Sequence, residues 1–457
     1  MIKNIYKIGL KFCLAISLFN LQSCDSLLDI DPKDAVDQQH IYNSVKQFEF
    51  AVVGVYSQLN LDYNILLGSI MADDCNLASD NSGVNSYGVN INRWIFSADD
   101  DLLQQIWNSY YYSIYKVNIL LENIDNVPFN SSLEQQKLHE LKAELYGLRV
   151  LIHFELHRIF GQSEYLGTNA TTIPYKTNSD IFEKPSKFLI SDFYNKLWDD
   201  LSIAELERGG MTNIRLNQDV VYALSARIAL YQKDYQKAIY YATLLIDKYP
   251  LGFDKEFAGI WEDTSNIEVI FKLKRNNDDT IRPNIFWYDY NSGKYLYYAS
   301  QKLRAQFDTK NDKRYQYFFG EDNNGVINKY NGSAFNNRIN DYKVFRIGEM
   351  YLIRSEAFLL SGNMQSAVAD LNLLRENRMK ELTFYTNITI SEILQERFLE
   401  LSFEGHRYFD LKRLGLALQR DLQDLATTSD SQKMEIQDEH YQLPIPQKEI
   451  LANPNLK

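Results

Sequence analysis

Helical periodicity dominates the distribution of apolar residues along this chain. From Leu102 to Ile124 they recur at spacings of three and four, which places them on one face of an amphipathic helix. The same pattern predicts further helices over roughly 44–60, 134–160, 188–207, 217–232, 235–248, 345–361, 364–380, 389–403 and 406–424. Polar stretches near 76–92, 274–284 and 320–341 are expected to be long loops on one body, because no Pro-, Gly- or Ser-rich linker divides the chain.

Two of the predicted helix pairs are related in sequence. When residues 219–246 are aligned with 350–375, Asp234 falls on Asn363, and both suit the N-cap of a second helix because their side-chain oxygens accept its free N–H groups. Gly362 suits the left-handed turn between the helices, where the other copy has a lysine. Each unit is similar to a tetratricopeptide repeat. Such pairs bury their apolar faces by stacking, so the fold is expected to be mainly α.

The beginning of the chain has the features of an export signal. Three lysines precede an apolar run from Phe12 to Leu21, which is too short to cross a bilayer as a helix. The run ends in Leu-Gln-Ser-Cys, which resembles a bacterial lipobox. Residues 1–23 are therefore predicted to be a lipoprotein signal peptide, and Cys24 is predicted to carry the lipid. In that chemistry the cysteine receives two or more acyl chains, which hold a protein stably on a membrane. An ordinary signal peptide followed by an incidental cysteine is the alternative.

Charge and cysteine content exclude several classes of function. The formal charge is −12, and it becomes −15 without residues 1–23, which contain three lysines and no acidic residue. An acidic chain repels phosphate backbones, so nucleic acid is not an expected partner. Cys13 lies in the signal and Cys24 takes the lipid, which leaves Cys75 without a partner for a disulfide or a cysteine metal site. No cofactor and no metal ion are expected.

Two groups of residues could suggest catalysis, but structural roles are favoured for both. His153 and His157 stand four apart on a predicted helix, yet the zinc-protease motif needs Glu directly after the first histidine, where this chain has Phe154. The charges from 396 to 413 are spaced as ion pairs on a helix surface are. The expected pairs are Arg397 with Glu400, Glu404 with Arg407, and Arg407 with Asp410.

Two predicted loops, 73–94 and 275–298, combine aromatic and polar residues. A sugar presents a weakly polar C–H face and a rim of hydroxyls, so it needs an aromatic platform surrounded by Asn, Asp and Arg. The alternative is that these rings close a core. Polar or glycine neighbours suggest exposure of Tyr87, Trp287 and Tyr290 in particular. The candidate ligand-binding residues are Asn81, Asn85, Tyr87, Trp94, Trp287, Tyr288, Tyr290 and Tyr295.

Longer motifs resemble the SusD/RagB family, whose members are outer-membrane lipoproteins of Bacteroidetes that bind nutrients at the cell surface. The most specific are the segments Arg346–Ala357 and Glu396–Arg413 and the helix that carries Trp107, Tyr110, Ile114 and Asn118. The mature chain is expected to be a single domain, 24–457, and the resemblance covers nearly all of it. This domain divides into an N-terminal SusD-like part of roughly 24–230 and a C-terminal RagB/SusD part of roughly 250–457.

The resemblance implies four tetratricopeptide-like pairs on one side and an irregular, loop-rich side that carries the ligand. It also implies a SusC-like TonB-dependent β-barrel as partner, and lipid anchoring in the outer membrane facing the cell exterior. The expected function is capture of a nutrient oligomer, most often a glycan, and its delivery to that barrel, without enzymatic activity. A lipid-anchored glycoside hydrolase, which needs a carboxylate pair across a cleft, and a binder of peptides or other non-glycan cargo are the alternatives.

Overall fold

A computed structural model describes residues 42–81, 88–167, 169–205, 212–320, 325–336 and 338–457. Three residues with predicted roles, Cys24, Asn85 and Tyr87, lie outside these ranges. Helices account for most of the regular structure, so the expectation of a mainly α fold is confirmed.

The α-helices of the described residues run along the chain in this order: α1 (Val45–Tyr56), α2 (Tyr63–Ile70), α3 (Val89–Asn92), α4 (Asp101–Asn123), α5 (Ser132–Phe160), α6 (Ile190–Ala204), α7 (Gln218–Gln232), α8 (Tyr235–Ile246), α9 (Lys255–Trp261), α10 (Gln301–Arg304), α11 (Lys313–Phe318), α12 (Ile347–Leu360), α13 (Met364–Arg378), α14 (Ile390–Glu400), α15 (Arg407–Leu414) and α16 (Gln447–Ala452).

The strands are short and form two-stranded antiparallel sheets. Their pairing is β1 with β7, β2 with β3, β4 with β8, β5 with β6, and β9 with β10. Their bounds are β1 (Cys75–Leu77), β2 (Thr171–Thr172), β3 (Phe188–Leu189), β4 (Val269–Leu273), β5 (Tyr288–Asp289), β6 (Lys294–Tyr295), β7 (Tyr297–Ala299), β8 (Tyr342–Arg346), β9 (Leu418–Gln419) and β10 (Lys433–Met434).

The two related helix pairs are α7–α8 and α12–α13, and α8 packs against α12, so the pairs stack on each other. The predicted caps are confirmed. Asp234 and Asn363 each accept a hydrogen bond from the backbone N–H three residues later, at 3.2 and 3.1 Å. The preceding turn residues, Lys233 and Gly362, both adopt positive φ angles, of 64° and 87°. The lysine therefore occupies the left-handed position that glycine fills in the second pair.

The predicted helix over 406–424 is wrong in its second half. Helix α15 ends at Leu414 because Gly415 adopts a left-handed conformation with φ of 67°. The chain then forms β9 and a short 3₁₀ turn, Leu422–Asp424. The other predicted helices agree with observed ones to within a few residues.

The charged segment 396–413 is buried, so the prediction of pairs on a helix surface is wrong. Helix α14 ends at Glu400, and the chain turns through Phe403, which has φ of 61°, before α15 begins. The turn separates Glu404 from α15, whereas the other two predicted pairs each lie within one helix and fail because their charges bind partners from other segments. Arg397 instead binds Asp410 at 2.8 Å, and Arg407 reaches Asp73 at 2.7 Å. Both contacts are ion pairs that fix one segment against another, as a structural role requires.

A larger ion network lies in the core between the β4–β8 pair and the helices α13 and α14. Arg378 binds Glu268 at 2.7 Å and Glu400 at 3.0 Å, and Arg346 binds Glu268 at 2.8 Å. All four side chains are fully buried. Loss of one partner would leave an uncompensated buried charge, which is strongly destabilising.

The two histidines on α5 have structural partners, as predicted. His153 donates from Nδ1 to the Arg149 carbonyl at 2.8 Å, and its Nε2 accepts from the Lys176 N–H at 3.0 Å. Burial lowers the pKa of His153 to about 3, so the ring is neutral. His157 binds the Glu164 carboxylate at 2.8 Å. Among the described residues no group of His, Cys, Asp or Glu could hold a metal ion, and no helix there is long and apolar enough to span a membrane.

Candidate ligand-binding cleft

The two loops that were predicted to carry the ligand meet in the structure. Strand β1 from the first loop pairs with β7 at the end of the second, with Cys75 opposite Ala299 and Leu77 opposite Tyr297. The Asn81 side chain adds a hydrogen bond of 3.1 Å to the Leu296 carbonyl. Segments more than 200 residues apart in sequence therefore form one surface.

The centre of this surface is the β5–β6 hairpin. The Asp289 carboxylate accepts hydrogen bonds from the Asn291 N–H at 2.9 Å and the Ser292 hydroxyl at 2.6 Å. The bond from Ser292 lowers the pKa of Asp289. Gly293 closes the turn with φ of 69°, a conformation that glycine adopts without strain. The hairpin therefore presents its side chains from a hydrogen-bonded frame.

Four tyrosines form a continuous row along the hairpin and the adjoining strand, and we call them the tyrosine row. Tyr290 contacts Tyr288 with ring centroids 5.0 Å apart, Tyr288 contacts Tyr295 at 5.0 Å, and Tyr295 contacts Tyr298 at 5.1 Å. All four are half-buried. Because each ring is held by the next, little side-chain entropy would be lost when a ligand packs against the row.

Tyr288 and Tyr290 line a cavity of about 410 Å³, which we call the tyrosine cleft. Two arginines also line it. The guanidinium of Arg338 lies 5.4 Å from the Tyr290 ring centroid, and the Nη1 of Arg282 donates to the Asp279 carbonyl at 3.4 Å. The cleft thus combines flat apolar surface with N–H donors, the groups that sugar rings and hydroxyls require. The remaining lining comes from residues 277–281, Ile285, Asp289, Asn291 and Leu296.

Trp287 does not line this cleft, and its expected exposure is wrong, since only 2% of its surface is accessible. Its ring packs against Phe403 at 5.6 Å and Phe286 at 6.4 Å. The expectation relied on polar neighbours, but Trp287 ends the 3₁₀ turn Pro283–Phe286 with helical φ and ψ of −101° and −32°. The strand that carries Tyr288 begins only after it, and the indole ring packs into the core.

Trp94 and Asn81 are also buried, at 6% and 0% exposure, and neither lines the tyrosine cleft. The Trp94 indole donates to the Met71 carbonyl at 3.0 Å, and the Arg420 guanidinium lies 4.2 Å from its ring. Asn81 ties its loop to Leu296, the residue between β6 and β7. The burial of the Trp94 ring agrees with the alternative that loop rings close a core.

Sequence reasoning missed Arg282, Arg338 and Tyr298. Tyr298 could have been found, since it alternates with the fully buried Tyr297 along β7. Arg282 lies in the predicted loop 275–298 and could have been chosen as one of the arginines that a sugar site needs. Arg338 belongs to a separate polar stretch and reaches the cleft only through the tertiary fold.

Comparison with known proteins identifies the family. A family model described as "SusD family" matches residues 286–457, and one described as "Starch-binding associating with outer membrane" matches residues 26–230. A SusD-like protein of Formosa agariphila is 22% identical over 491 residues, which cover 91% of this chain and 93% of the relative.

Solved structures share the fold. A SusD superfamily protein from Bacteroides thetaiotaomicron superimposes with a TM-score of 0.79 and 26% identity, over 91% of this chain and 99% of that one. A SusD-like carbohydrate binding protein from Bacteroides vulgatus gives 0.77 and 20%, over 91% and 98%, and surface glycan-binding protein A from Bacteroides fluxus gives 0.72 and 19%, over 90% and 97%. With family models matching residues 26–230 and 286–457 and this fold throughout, the chain belongs to the SusD/RagB family.

Proposed function

We propose that this protein is a cell-surface lipoprotein that binds glycan oligomers in the tyrosine cleft and delivers them to a SusC-like TonB-dependent barrel. The observation that carries the proposal is the ordered tyrosine row with two arginines beside it, in a chain whose family is described as starch-binding and associated with the outer membrane. Rings that are only partly buried offer a platform on which sugar rings can stack.

The chemistry of the cleft favours binding over hydrolysis. A glycosidase needs one carboxyl group whose raised pKa keeps it protonated as the acid, facing a second carboxylate. Asp289 is engaged by Ser292, and its pKa is lowered, which is the opposite of what an acid catalyst requires. Related proteins of the family are named as binding proteins. The proposal therefore includes no covalent step.

The proposals of a lipid anchor and of a barrel partner are based on different observations. Anchoring follows from the lipobox-like sequence that ends at Cys24 and agrees with the family description of outer-membrane association. The barrel follows from the family resemblance. In this proposal the lipid keeps the protein beside the barrel, so that a glycan leaving the cleft is already at the transporter.

The proposal is tested by binding to a panel of soluble polysaccharides, followed by calorimetry with protein that begins at residue 25. Tyr290→Ala and Tyr288→Ala should each weaken binding by about 5- to 150-fold, because stacking on an aromatic side chain contributes roughly 1–3 kcal/mol. Tyr240→Ala is the matched control, since this tyrosine is 57% exposed on α8 and lines no described cleft. It should bind as the wild type does.

Three results would contradict the proposal. The first is unchanged affinity in both tyrosine variants while they stay folded by circular dichroism. The second is release of reducing sugar from the bound polysaccharide, which would indicate a hydrolase. The third is binding of peptides with no binding of any glycan on the panel.

A further inference from the structure

A second and larger cleft lies next to the tyrosine cleft. Its volume is about 980 Å³, at the upper end of the roughly 300–1,000 Å³ that ligand pockets occupy. Helix α4, residues 174–185 and the C-terminal residues 449–456 form its walls, and we call it the helix cleft. Asp278, Asp279 and Thr280 line both clefts, so the two cavities adjoin across this short segment.

The helix cleft has accessible aromatic surface on opposite walls. On α4, Tyr112 is 48% exposed and stacks on Tyr115, with ring centroids 6.3 Å apart and planes at 26°. On the other wall, Ile181 and Phe182 are 72% and 84% exposed. The Tyr111 hydroxyl joins the walls by donating to the Pro174 carbonyl at 2.9 Å. Large apolar side chains that share one accessible cleft mark a binding surface.

The polar groups around these rings suit a ligand rich in hydroxyls. Amides and a hydroxyl line the same cleft, on Asn60, Asn108, Ser109, Asn178 and Asn453. Its charged residues are Lys176 and Lys184 against five acidic ones, Asp180, Glu183, Asp278, Asp279 and Glu449. This excess of negative charge opposes ligands that carry sulfate or carboxylate groups.

We infer that the helix cleft is a second subsite of one continuous groove, and that the ligand is an uncharged oligosaccharide long enough to cross Asp278–Thr280. The inference rests on the proposed function of the tyrosine cleft and extends it. A chain held in the tyrosine cleft presents its next units to the helix cleft at high effective concentration, so the second contact adds affinity without a second encounter. Short oligosaccharides reach only one cleft, and affinity should therefore increase with chain length.

Calorimetry with size-fractionated oligosaccharides of the polysaccharide that binds the wild type tests this directly. The double variant Tyr112→Ala/Phe182→Ala should weaken binding of long chains by at least about 5-fold and leave the shortest binding fragments unaffected. Tyr290→Ala should weaken both, and Tyr240→Ala neither. Both substituted side chains are largely exposed, so the fold should be retained, which circular dichroism would check. A sulfated chain of equal length should bind more weakly than the uncharged one.

The outcomes separate this inference from the proposed function. If the double variant binds long chains as the wild type does while Tyr290→Ala binds them weakly, the helix cleft takes no part and only the inference is wrong. If the double variant loses short and long chains equally, the inference of a length-dependent second subsite is also wrong. If no polysaccharide binds, both proposals are contradicted.

Discussion

At the scale of single residues, Asp74, the residue before β1, shows how a buried carboxyl group affects stability. Its Oδ2 accepts a hydrogen bond from the Ser69 hydroxyl at 2.9 Å, and its side chain is almost fully buried. Burial, and after it the neighbouring Asp73 carboxylate, raise the pKa of Asp74 to about 7. Asp73 itself is ionised, because Arg407 and Lys302 outweigh its burial and lower its pKa to about 2.

The raised pKa of Asp74 predicts that the protein loses stability as the pH rises from about 4 to 7. Over this range the unfolded chain releases the proton while the folded protein keeps it, so the free energy of unfolding falls as the pH rises. Asp74→Asn should remove this fall and be more stable than the wild type at pH 8, by at most about 4 kcal/mol, since one pKa unit corresponds to 1.36 kcal/mol. Urea unfolding at pH 4, 6 and 8 measures the difference. Equal pH profiles for both proteins would contradict the assignment.

The site itself could be predicted from sequence only in part at this scale. The composition of 275–298 indicated a tyrosine-rich platform, and Tyr288 and Tyr290 do line a cleft. Trp287 was chosen by the same reasoning and is buried, because polar neighbours do not reveal that it ends a 3₁₀ turn whose last ring packs into the core. Arg338 could not have been chosen, since only the fold brings it to Tyr290.

At the scale of elements, the turn between α7 and α8 is built with a residue that is poor for its conformation. Lys233 has φ of 64°, which costs an L-residue roughly 1–2 kcal/mol relative to glycine. Lys233→Gly should therefore stabilise the protein by up to about 1 kcal/mol, after allowance for the greater chain entropy of glycine when unfolded. The midpoint of urea unfolding should rise.

Gly362 in the second pair gives the reciprocal control. It has φ of 87°, and no atom lies within 4 Å of where a Cβ would stand, so Gly362→Ala changes only the backbone cost. This variant should be less stable than the wild type by a similar amount. A Lys233→Gly protein that is less stable than the wild type would show that the lysine side chain contributes more than its backbone conformation costs.

Helices were predictable because their apolar spacing is a local property of the chain. Apolar residues recur at helical spacing along the sequence of helix α5, and the helix is observed over Ser132–Phe160. The end of α15 was missed because the periodic pattern was carried past Gly415, although glycine is the expected residue just beyond a helix. The strands gave no such signal, since β1 has three residues and pairs with a partner more than 200 positions away.

At the scale of the whole molecule, lipid anchoring depends on Cys24, which lies outside the described ranges, and the barrel partner depends on the family resemblance. Cys24→Ala should abolish fatty-acid labelling and release the protein from membranes, because the thiol that receives the diacylglycerol is lost. Labelling that persists in this variant would contradict anchoring at Cys24.

Gentle detergent extraction of the wild-type protein should recover a large β-barrel together with it. Recovery of the protein alone would count against delivery of the glycan to a barrel.

The helix cleft could not be predicted from the sequence, because segments that are far apart in the chain form it. Tyr112 and Tyr115 lie on α4 but outside the apolar face that predicted this helix, and they were given no role. The run Tyr110–Tyr112 contains more rings than one helix face can bury, and only Tyr110 of the three is fully buried. The opposite wall comes from residues 174–185 and the C-terminal end, which no local pattern relates to α4.

Glycan binding in the tyrosine cleft is tested most directly by a crystal structure of the protein, beginning at residue 25, with the oligosaccharide that binds it best. We expect a sugar ring stacked against Tyr288 or Tyr290, with its hydroxyls within hydrogen-bond distance of Arg282 or Arg338. An oligosaccharide bound at a surface that contacts none of these four residues would contradict it.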